Sequence, residues 1–318
     1  MKKILAVIFI LLGLFFVIQG WWNSQLAAVS QDKTPKKIII AKGKSLNEIA
    51  KQLKQANLIK SELIFSLYTR KLGLSNKLSA GTFDLSSSMS TPEMVKMLTG
   101  KPSESWVTLI EGWRVEEMAD KLHKELGISE EEFLRSAKEG YMFPDTYLFA
   151  HDATSQQVAS RLKNTFEEKF SDDLKAKISS QGLTVDQGVI LASIVEREAR
   201  SEKARTEVAS ILLKRFKIDM GLNADATLQY ILGYQQQEKS WWKRHLGAED
   251  KAIDSPYNTY LYKGLPPKPI CNPGRASLKA VANADPSIPY LYYYHDSKGD
   301  SHYATTLEEH NQNVANNP

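Results

Sequence analysis

The chain has 318 residues, 41 of them basic and 37 acidic, which is enough for one large or two ordinary domains of globular composition. Its formal charge of only +4, without a basic run interleaved with aromatic residues, argues against nucleic acid as a partner. The single cysteine, Cys271, excludes an intrachain disulfide and leaves the redox compartment undetermined.

Residues 1–22 have the pattern of a transmembrane anchor. Two lysines precede an apolar run from Ile4 to Ile18, and the pair Trp21-Trp22 that follows is typical of a membrane interface. The segment approaches the ~20 residues that a span needs, and its basic residues predict a cytoplasmic N-terminus with the remainder periplasmic or extracytoplasmic. A cleaved signal peptide is the alternative. Because residues 23–28 form a poor cleavage site, we favour a retained single-pass anchor in the cell (inner) membrane.

A polar linker over residues 23–36 is followed by a small predicted module over residues 37–100. Its predicted elements come in the order strand, helix, helix, strand, over residues 37–41, 45–55, 61–72 and 81–85. This β-α-α-β order resembles LysM modules, which bind the amino-sugar backbone of cell-wall glycans. No residue in it identifies itself as a sugar contact, so a passive spacer stays the alternative.

The larger region, residues 101–318, is predicted as a mixed α/β domain, which makes the fold class of the whole chain α+β. Its most informative stretch is an apolar helix after Thr184, where Gln187 completes a capping box. Glu196 falls among small residues of this helix. A carboxyl on the floor of such a cleft loses hydration, which favours its protonated form and the role of a general acid. Pairing of Glu196 and Glu198 with nearby basic residues is the structural alternative.

Metal and covalent chemistry find no support in the sequence. The six histidines form neither a His-Glu-x-x-His motif nor a cluster with cysteine, and there is no Gly-x-Ser-x-Gly elbow or phosphate-binding glycine loop. Cys271 lies in a proline-rich turn that does not favour a reactive thiol. We therefore expect no metal and no organic cofactor.

Several long segments in order resemble the endolytic murein transglycosylase, or YceG-like, family. They are EGYMFPDTY at 139–147, ASIVERE at 192–198, SPYNTY at 255–260, GLPPKPICNPG at 264–274 and YLY at 290–292. The resemblance covers nearly the whole chain. It implies an inner-membrane-anchored enzyme that cuts the glycan strands of peptidoglycan internally, with Glu196, the first glutamate of its motif, as the catalytic residue.

The chain departs from the family pattern at a few positions. Residues 214–216 read Lys-Arg-Phe where the family usually has Asn-Arg-Leu, and Asn223-Ala224-Asp225-Ala226-Thr227 stands for Gln-Ser-Asp-Pro-Thr. Lys268 replaces a common glycine. These changes bear on sugar subsites and rate more than on the class of reaction.

The resemblance implies a mechanism with a single carboxylate. Glu196 and Glu198 diverge by roughly 160° on a helix, so they cannot flank one glycosidic bond as hydrolase pairs do. A transglycosylase needs one group. Glu196 would protonate the β-1,4 oxygen between N-acetylmuramic acid and N-acetylglucosamine, then deprotonate the muramyl C6 hydroxyl, which closes a 1,6-anhydro ring without water. Cuts in nascent strands would terminate strand elongation.

Family position and polarity assign sugar-orienting roles to Asp225, Tyr257, Asn258 and Asn272, whereas Glu198 is expected to hold helix and loop together through a basic partner. The expected partners are peptidoglycan strands and the membrane, with the cell-wall synthesis machinery as an open further partner. Two alternatives stay open. One is a membrane-tethered glycan-binding scaffold without catalysis, and the other is a hydrolase or lyase acting on another exported polysaccharide.

Overall fold

The computed structural model describes residues 2–317, with side chains from Ile8 onward. The chain forms two compact units. The first runs to Val107 and includes Tyr147–Asp152, and the second comprises Thr108–Thr146 and the chain from Ala153 onward. The first unit thus extends past the predicted boundary at residue 100. It also includes Tyr147–Asp152, a short segment of the region that was predicted as the larger domain.

An apolar helix, α1 (Lys2–Leu26), opens the first unit and continues beyond the predicted end at Trp22. Its part from Ile8 to Leu26 is long and apolar enough to cross a membrane, and of these residues Leu26 alone is buried. These properties suit a membrane anchor and a signal sequence equally. The side chains of Lys2 and Lys3, on which the predicted orientation depends, lie outside the described residues.

The rest of the first unit is a four-stranded sheet, in the order β1-β2-β3-β4, with three helices. Its elements are β1 (Lys36–Ile40), α2 (Leu46–Gln55), α3 (Glu62–Lys71), β2 (Gly81–Leu85), α4 (Thr91–Leu98), β3 (Glu104–Thr108) and β4 (Thr146–Ala150). Strands β1 and β2 pair antiparallel with Ile38 opposite Phe83, and both side chains enter a core with Leu53 and Phe65. The predicted strand-helix-helix-strand order is confirmed. Its assignment as a LysM-like module stays a prediction.

The predicted linker is held against the turn that follows β2. Ser30 N donates a 3.0 Å hydrogen bond to Ser87 O, their hydroxyls lie 2.7 Å apart, and Ser88 N donates to Asp32 O at 3.1 Å. Residues 27–35 are therefore tied to the small unit.

The second unit is mostly helical. Its elements are α5 (Val115–Leu126), α6 (Glu130–Ser136), α7 (Ser155–Lys169), α8 (Asp172–Ser180), α9 (Val185–Glu198), α10 (Glu202–Lys217), α11 (Asp225–Leu232), α12 (Ala248–Lys251), α13 (Arg275–Ala282), β5 (Tyr292–His295), β6 (Ser301–Ala304) and α14 (Leu307–Asn316). The hairpin β5–β6 and α14, which begins with a capping box of Thr306 and Glu309, form the C-terminal region.

Helix α9 lies at the centre of this unit. Thr184 and Gln187 form the predicted capping box, and every residue from Gly188 to Val195 is buried against neighbours that include α10 and α13. A Cβ on Gly188 would come within 2.6 Å of Ile178 on α8, so the close approach of the two helices requires glycine. The helix ends at Glu198, and its last turn leaves the core with both glutamates.

Candidate active site

Glu196 lies in the last turn of α9, and both of its carboxylate oxygens are bound. Oε1 accepts a 2.9 Å hydrogen bond from Arg205 Nη2 on α10, and Oε2 accepts hydrogen bonds from Gly274 N (2.9 Å) and Ser277 Oγ (2.8 Å). Only 4% of the Glu196 side chain and 14% of the Arg205 side chain are exposed. This setting stabilises the carboxylate as an anion and joins α9 to α10 and α13. Such contacts characterise the ion-pair alternative.

A further carboxylate, Glu111, lies beside Glu196, and no sequence pattern singled it out. Burial and the negative charge of Glu196 raise the pKa of Glu111 above its ordinary value. The Glu111 carboxylate lies directly against Gly274, so that a Cβ at residue 274 would displace it. Glu111 and Gly274 are distant in the chain, which is why no local signal could have found this contact.

Glu198 is the last residue of α9 and is half-buried in a different environment. Its carboxylate accepts hydrogen bonds from the Tyr293 hydroxyl and, at 3.5 Å, from Ala226 N. Burial, followed by the negative charge of Asp225, raises the pKa of Glu198 from 4.5 to about 7. A substantial fraction of such carboxyls carries a proton at neutral pH, as general acid catalysis requires.

Glu198 lines a cleft of about 410 Å³, which we call the tyrosine cleft. Its walls include Glu198, Arg215, Asp225, Tyr260, Tyr292 and Tyr293. Asp225, the first residue of α11, accepts a 2.6 Å hydrogen bond from the Tyr260 hydroxyl. Tyrosines offer an apolar ring and a polar tip, which match the faces and hydroxyls of a sugar. Here a protonatable carboxyl adjoins a surface suited to saccharide.

A second cleft, of about 430 Å³, also begins at Glu198, and we call it the basic cleft. Its walls include Arg197, Glu198, Arg200, His295, Asp296 and Lys298. Glu198 and His295 line both clefts. His295 Nδ1 shares a 2.9 Å hydrogen bond with Ser301 Oγ, while burial and the charge of Arg200 lower the pKa of His295. The imidazole is therefore neutral at pH 7.

Asn258 and Asn272 lie apart from both clefts and are fully buried. Asn258 Nδ2 donates to Lys251 O (3.0 Å) and Ile253 O (2.7 Å). Asn272 Oδ1 accepts hydrogen bonds of 2.9 Å from the backbone N–H groups of residues 140 and 142. Their polar groups hold loops in place, so these contacts do not favour the sugar-orienting role expected for either residue.

Tyr257 and Glu139 line a separate cleft of about 490 Å³. No sequence pattern indicated that the pKa of Glu139 departs from its ordinary value. Burial, followed by the charge of Glu116, raises the pKa of Glu139 to about 8. The Glu139 carboxyl accepts hydrogen bonds from Val115 N (3.2 Å) and Asn272 Nδ2 (2.8 Å). Of the predicted site residues, the structure brings together Glu198 and Asp225 and separates Tyr257, Asn258 and Asn272 from them.

No group of three or more His, Cys, Asp or Glu side chains that could hold a metal ion occurs among the described residues. Cys271 is fully buried, and its Sγ lies 3.2 Å from Ser193 O as a hydrogen-bond donor. Burial raises the pKa of this thiol, which makes it a poor nucleophile.

The model of the YceG-like family matches residues 38–316. The chain belongs to the YceG-like family. It is 30% identical to the endolytic murein transglycosylase of Bacillus subtilis (strain 168), over 91% of this chain and 87% of the relative. The endolytic murein transglycosylase of Streptococcus pneumoniae serotype 2 is 28% identical, over 95% of this chain and 62% of that protein. A crystal structure of a YceG-like protein from Listeria monocytogenes superposes with a TM-score of 0.62 at 27% identity, covering 88% of this chain and 99% of that one.

This membership confirms the resemblance drawn from the sequence and makes the chain an enzyme of the lytic transglycosylase class. Of the positions at which it departs from its family, Asn223 lines the tyrosine cleft, whereas Lys268 lines the separate cleft of Tyr257 and Glu139. Asn223, which replaces a glutamine, lines the cleft and adopts a left-handed φ of 50°, a conformation that asparagine tolerates well. Lys214 donates a 2.6 Å hydrogen bond to Ile288 O.

The tryptophan pair of this YceG-like chain packs against the protein. Trp242 is 8% exposed, its Nε1 donates a 3.1 Å hydrogen bond to Glu117, and the Arg197 guanidinium lies 3.8 Å from its ring centroid. The Arg114 guanidinium lies 4.6 Å from the ring centroid of Trp241. Both rings pin the segment after α11 to the helical core.

Proposed function

We propose that this enzyme cuts peptidoglycan strands internally at the β-1,4 bond between N-acetylmuramic acid and N-acetylglucosamine, and leaves 1,6-anhydro ends. We further propose that Glu198 is its general acid and base. The observation that carries the proposal is the setting of Glu198, a carboxyl with a pKa of about 7 on the wall shared by two clefts. The names of the relatives support murein as the substrate.

The contacts of the two glutamates favour Glu198 over Glu196, the reverse of the roles assigned from the sequence. An acid must present a proton to the glycosidic oxygen at about 2.6–3.2 Å. Glu196 is 4% exposed, and its oxygens are occupied by Arg205, Gly274 and Ser277. Reaching a sugar would break a charge-assisted pair, whereas Glu198 already faces open space.

The reaction requires one carboxyl group. Protonated Glu198 donates its proton to the glycosidic oxygen while the bond from that oxygen to the muramyl C1 breaks. The resulting carboxylate, stabilised by Tyr293 and Ala226 N, then takes the proton of the muramyl C6 hydroxyl as that oxygen bonds to C1. Glu198 is left protonated for the next cycle. The negative charge of Asp225 in the same cleft supports this cycle twice, by keeping Glu198 protonated and by stabilising positive charge that develops at C1.

The same carboxylate, Asp225, is the observation that favours a second candidate, hydrolysis. If Asp225 activated a water molecule, the two groups would act as an acid and base pair and the products would carry reducing ends. The Asp225 carboxylate is already engaged by the 2.6 Å hydrogen bond from Tyr260, so we favour ring closure.

Mass spectrometry of strands digested by the purified protein tests this proposal. We expect anhydro-muramyl ends, and we expect them to disappear with Glu198→Gln while Glu196→Gln still produces them. Reducing ends in place of anhydro ends would establish the hydrolytic candidate. Loss of cutting in Glu196→Gln alone, with Glu198→Gln active, would restore the roles assigned from the sequence.

We also propose that α1 anchors the enzyme in the cell membrane with the second unit outside, where cuts in nascent strands terminate elongation and the LysM-like region places the strand. The exposed apolar surface of α1 supports this location. N-terminal sequencing of the protein from cells tests it, because a mature chain beginning near Ala28 would show that the segment is a cleaved signal.

A further inference from the structure

The basic cleft contains cationic side chains that the proposed reaction does not use. Arg200 and Lys298 both line it, and neither side chain forms a hydrogen bond or ion pair with any residue from Ile8 to Asn317. Arg197 adds a third positive charge, although it also stacks on Trp242. Unpaired cations that converge on one concave surface favour an anion there.

The acidic residues of the basic cleft, Asp296 and Glu198, offset only part of this charge. Asp296 is already paired with His302 Nε2 at 3.0 Å and accepts 2.9 Å hydrogen bonds from the backbone N–H groups of residues 298 and 300. Glu198 carries a proton in part of the molecules at neutral pH. His295, on the shared wall, is neutral and contributes no opposing charge. The free positive charge of Arg200 and Lys298 is therefore available to a ligand.

We propose that Arg200 and Lys298 bind a carboxylate of the glycan strand next to the bond that is cut. This inference rests on the proposed function. The sugars would occupy the tyrosine cleft, and the substituent on the muramyl O3 would enter the basic cleft, since both clefts meet at Glu198. Arginine and lysine form charge-assisted hydrogen bonds with carboxylates, which are among the strongest polar contacts.

Two parts of peptidoglycan supply this chemistry. The free lactyl group of muramyl residues is a carboxylate in strands that have lost their peptides, and the stem peptides carry carboxylates of their own. Either source would make the basic cleft a determinant of specificity, because a polymer of N-acetylglucosamine alone has neither. The enzyme would then recognise the muramyl residue by its charge as well as by its ring.

The test compares the full-length enzyme with an Arg200→Gln/Lys298→Gln variant on three substrates. These are peptide-bearing strands, strands freed of peptide by an amidase, and freed strands whose lactyl carboxylates are converted to methyl amides. A matched control is Arg244→Gln/Lys279→Gln, since neither of these exposed residues lines either cleft. Arg200→Lys, which keeps a positive charge, should retain part of the effect.

We expect kcat/KM of the double variant to fall about tenfold or more, mainly through KM, on the substrate that carries the recognised carboxylate. A loss on freed strands that vanishes on methyl-amidated strands identifies the lactyl group, and a loss confined to peptide-bearing strands identifies the stem peptide. The proposal is overturned if the ratio of the wild-type kcat/KM to that of the double variant is the same on all three substrates, or if the double variant loses no kcat/KM on any of them.

A binding experiment separates this inference from the proposed function. In a Glu198→Gln background, the affinity for the same three substrates is measured with and without the two cationic substitutions. A carboxylate-dependent difference in affinity supports the basic cleft even if Glu198→Gln still cuts, which would refute only the catalytic role. Identical affinities refute the basic cleft and leave the role of Glu198 untouched.

Discussion

Glu196 and Glu198 are separated by one residue on the same helix, yet their surroundings are opposite. Glu196 points to α10 and α13, where Arg205, Gly274 and Ser277 satisfy its oxygens. Glu198 points to the meeting of two clefts, where burial and the charge of a neighbouring carboxylate keep it partly protonated. The comparison teaches that helical spacing sets the divergence of two side chains, while the elements packed around the helix decide which one holds the structure and which one is free to react.

The largest expected effect is the loss of cleavage in Glu198→Gln, and its absence would contradict the different roles of Glu196 and Glu198. Glu198→Gln keeps the shape of the side chain but removes the transferable proton, so cleavage should fall by about 10² to 10⁴ or more, since one group serves both steps. Glu196→Gln should retain most of its rate per folded molecule. Initial rates of strand cleavage, corrected for the folded fraction by circular dichroism, measure both. Equal losses in the two variants would contradict the division of roles.

The next effect concerns stability. Glu196→Gln leaves the Arg205 guanidinium without its anionic partner, and breaking such a buried pair costs about 3–5 kcal/mol. Because glutamine still offers an oxygen, we expect the lower end of that range. Urea unfolding at pH 7 measures the loss, and the double variant with Arg205→Gln should recover part of it. A Glu196→Gln protein as stable as wild type would show that the pair is not structural.

The pH dependence of stability tests the raised pKa of Glu198. The folded-state pKa of Glu198 is about 7 against 4.5 for the ordinary group, so the folded protein binds more protons between these values. Stability from this group is therefore present at low pH and lost as the pH rises from about 4.5 to 7, by at most about 3 kcal/mol. Glu198→Gln should remove that loss.

Chemical unfolding of wild type and Glu198→Gln at pH 4 and pH 8 measures this difference. Glu139 contributes in the same direction, but it is present in both proteins and cancels. We expect the variant to gain stability relative to wild type only at the higher pH. A constant difference across the range would mean that folding does not shift the pKa of Glu198.

The smallest effect is expected for Asp225→Asn. Removing its negative charge lowers the pKa of Glu198, so the alkaline limb of kcat/KM against pH should move toward acid by roughly one pH unit or less. At low pH, where Glu198 is protonated in either protein, activity should fall only by the stabilisation that the Asp225 charge gives to C1. An alkaline limb that does not move would show that another group sets it.

Local signals predicted much of the fold. Ser45, Thr184 and Thr306 each cap a helix through a reciprocal hydrogen bond with the residue three positions on, and such contacts depend only on neighbours in the chain. The segment at 139–147, identified in the sequence only as a family motif, ends in strand β4. Strand pairing joins distant residues, which sequence periodicity does not reveal.

The candidate site could be predicted as far as the helix that carries it. Which glutamate faces substrate depends on Arg205, Asp225 and Tyr293, and these reach α9 through packing of separate elements. The roles assigned to Asn258 and Asn272 from polarity stay predictions, and both side chains are buried among backbone groups that they satisfy. Burial of a side chain by residues that are distant in the chain cannot be read from the sequence.

The position of Glu198 at the end of α9 has an electrostatic consequence of its own. The peptide dipoles of the 14-residue helix sum to a partial negative charge at its C-terminus, which disfavours an anion there by about 0.3–1 kcal/mol. Glu196, in the same turn, offsets this field with the guanidinium of Arg205, whereas Glu198 has no such cation bound to it. The helix thus ends where its own macrodipole helps to retain a proton, and a longer α9 would lower the pKa of Glu198 and leave less of it protonated at neutral pH.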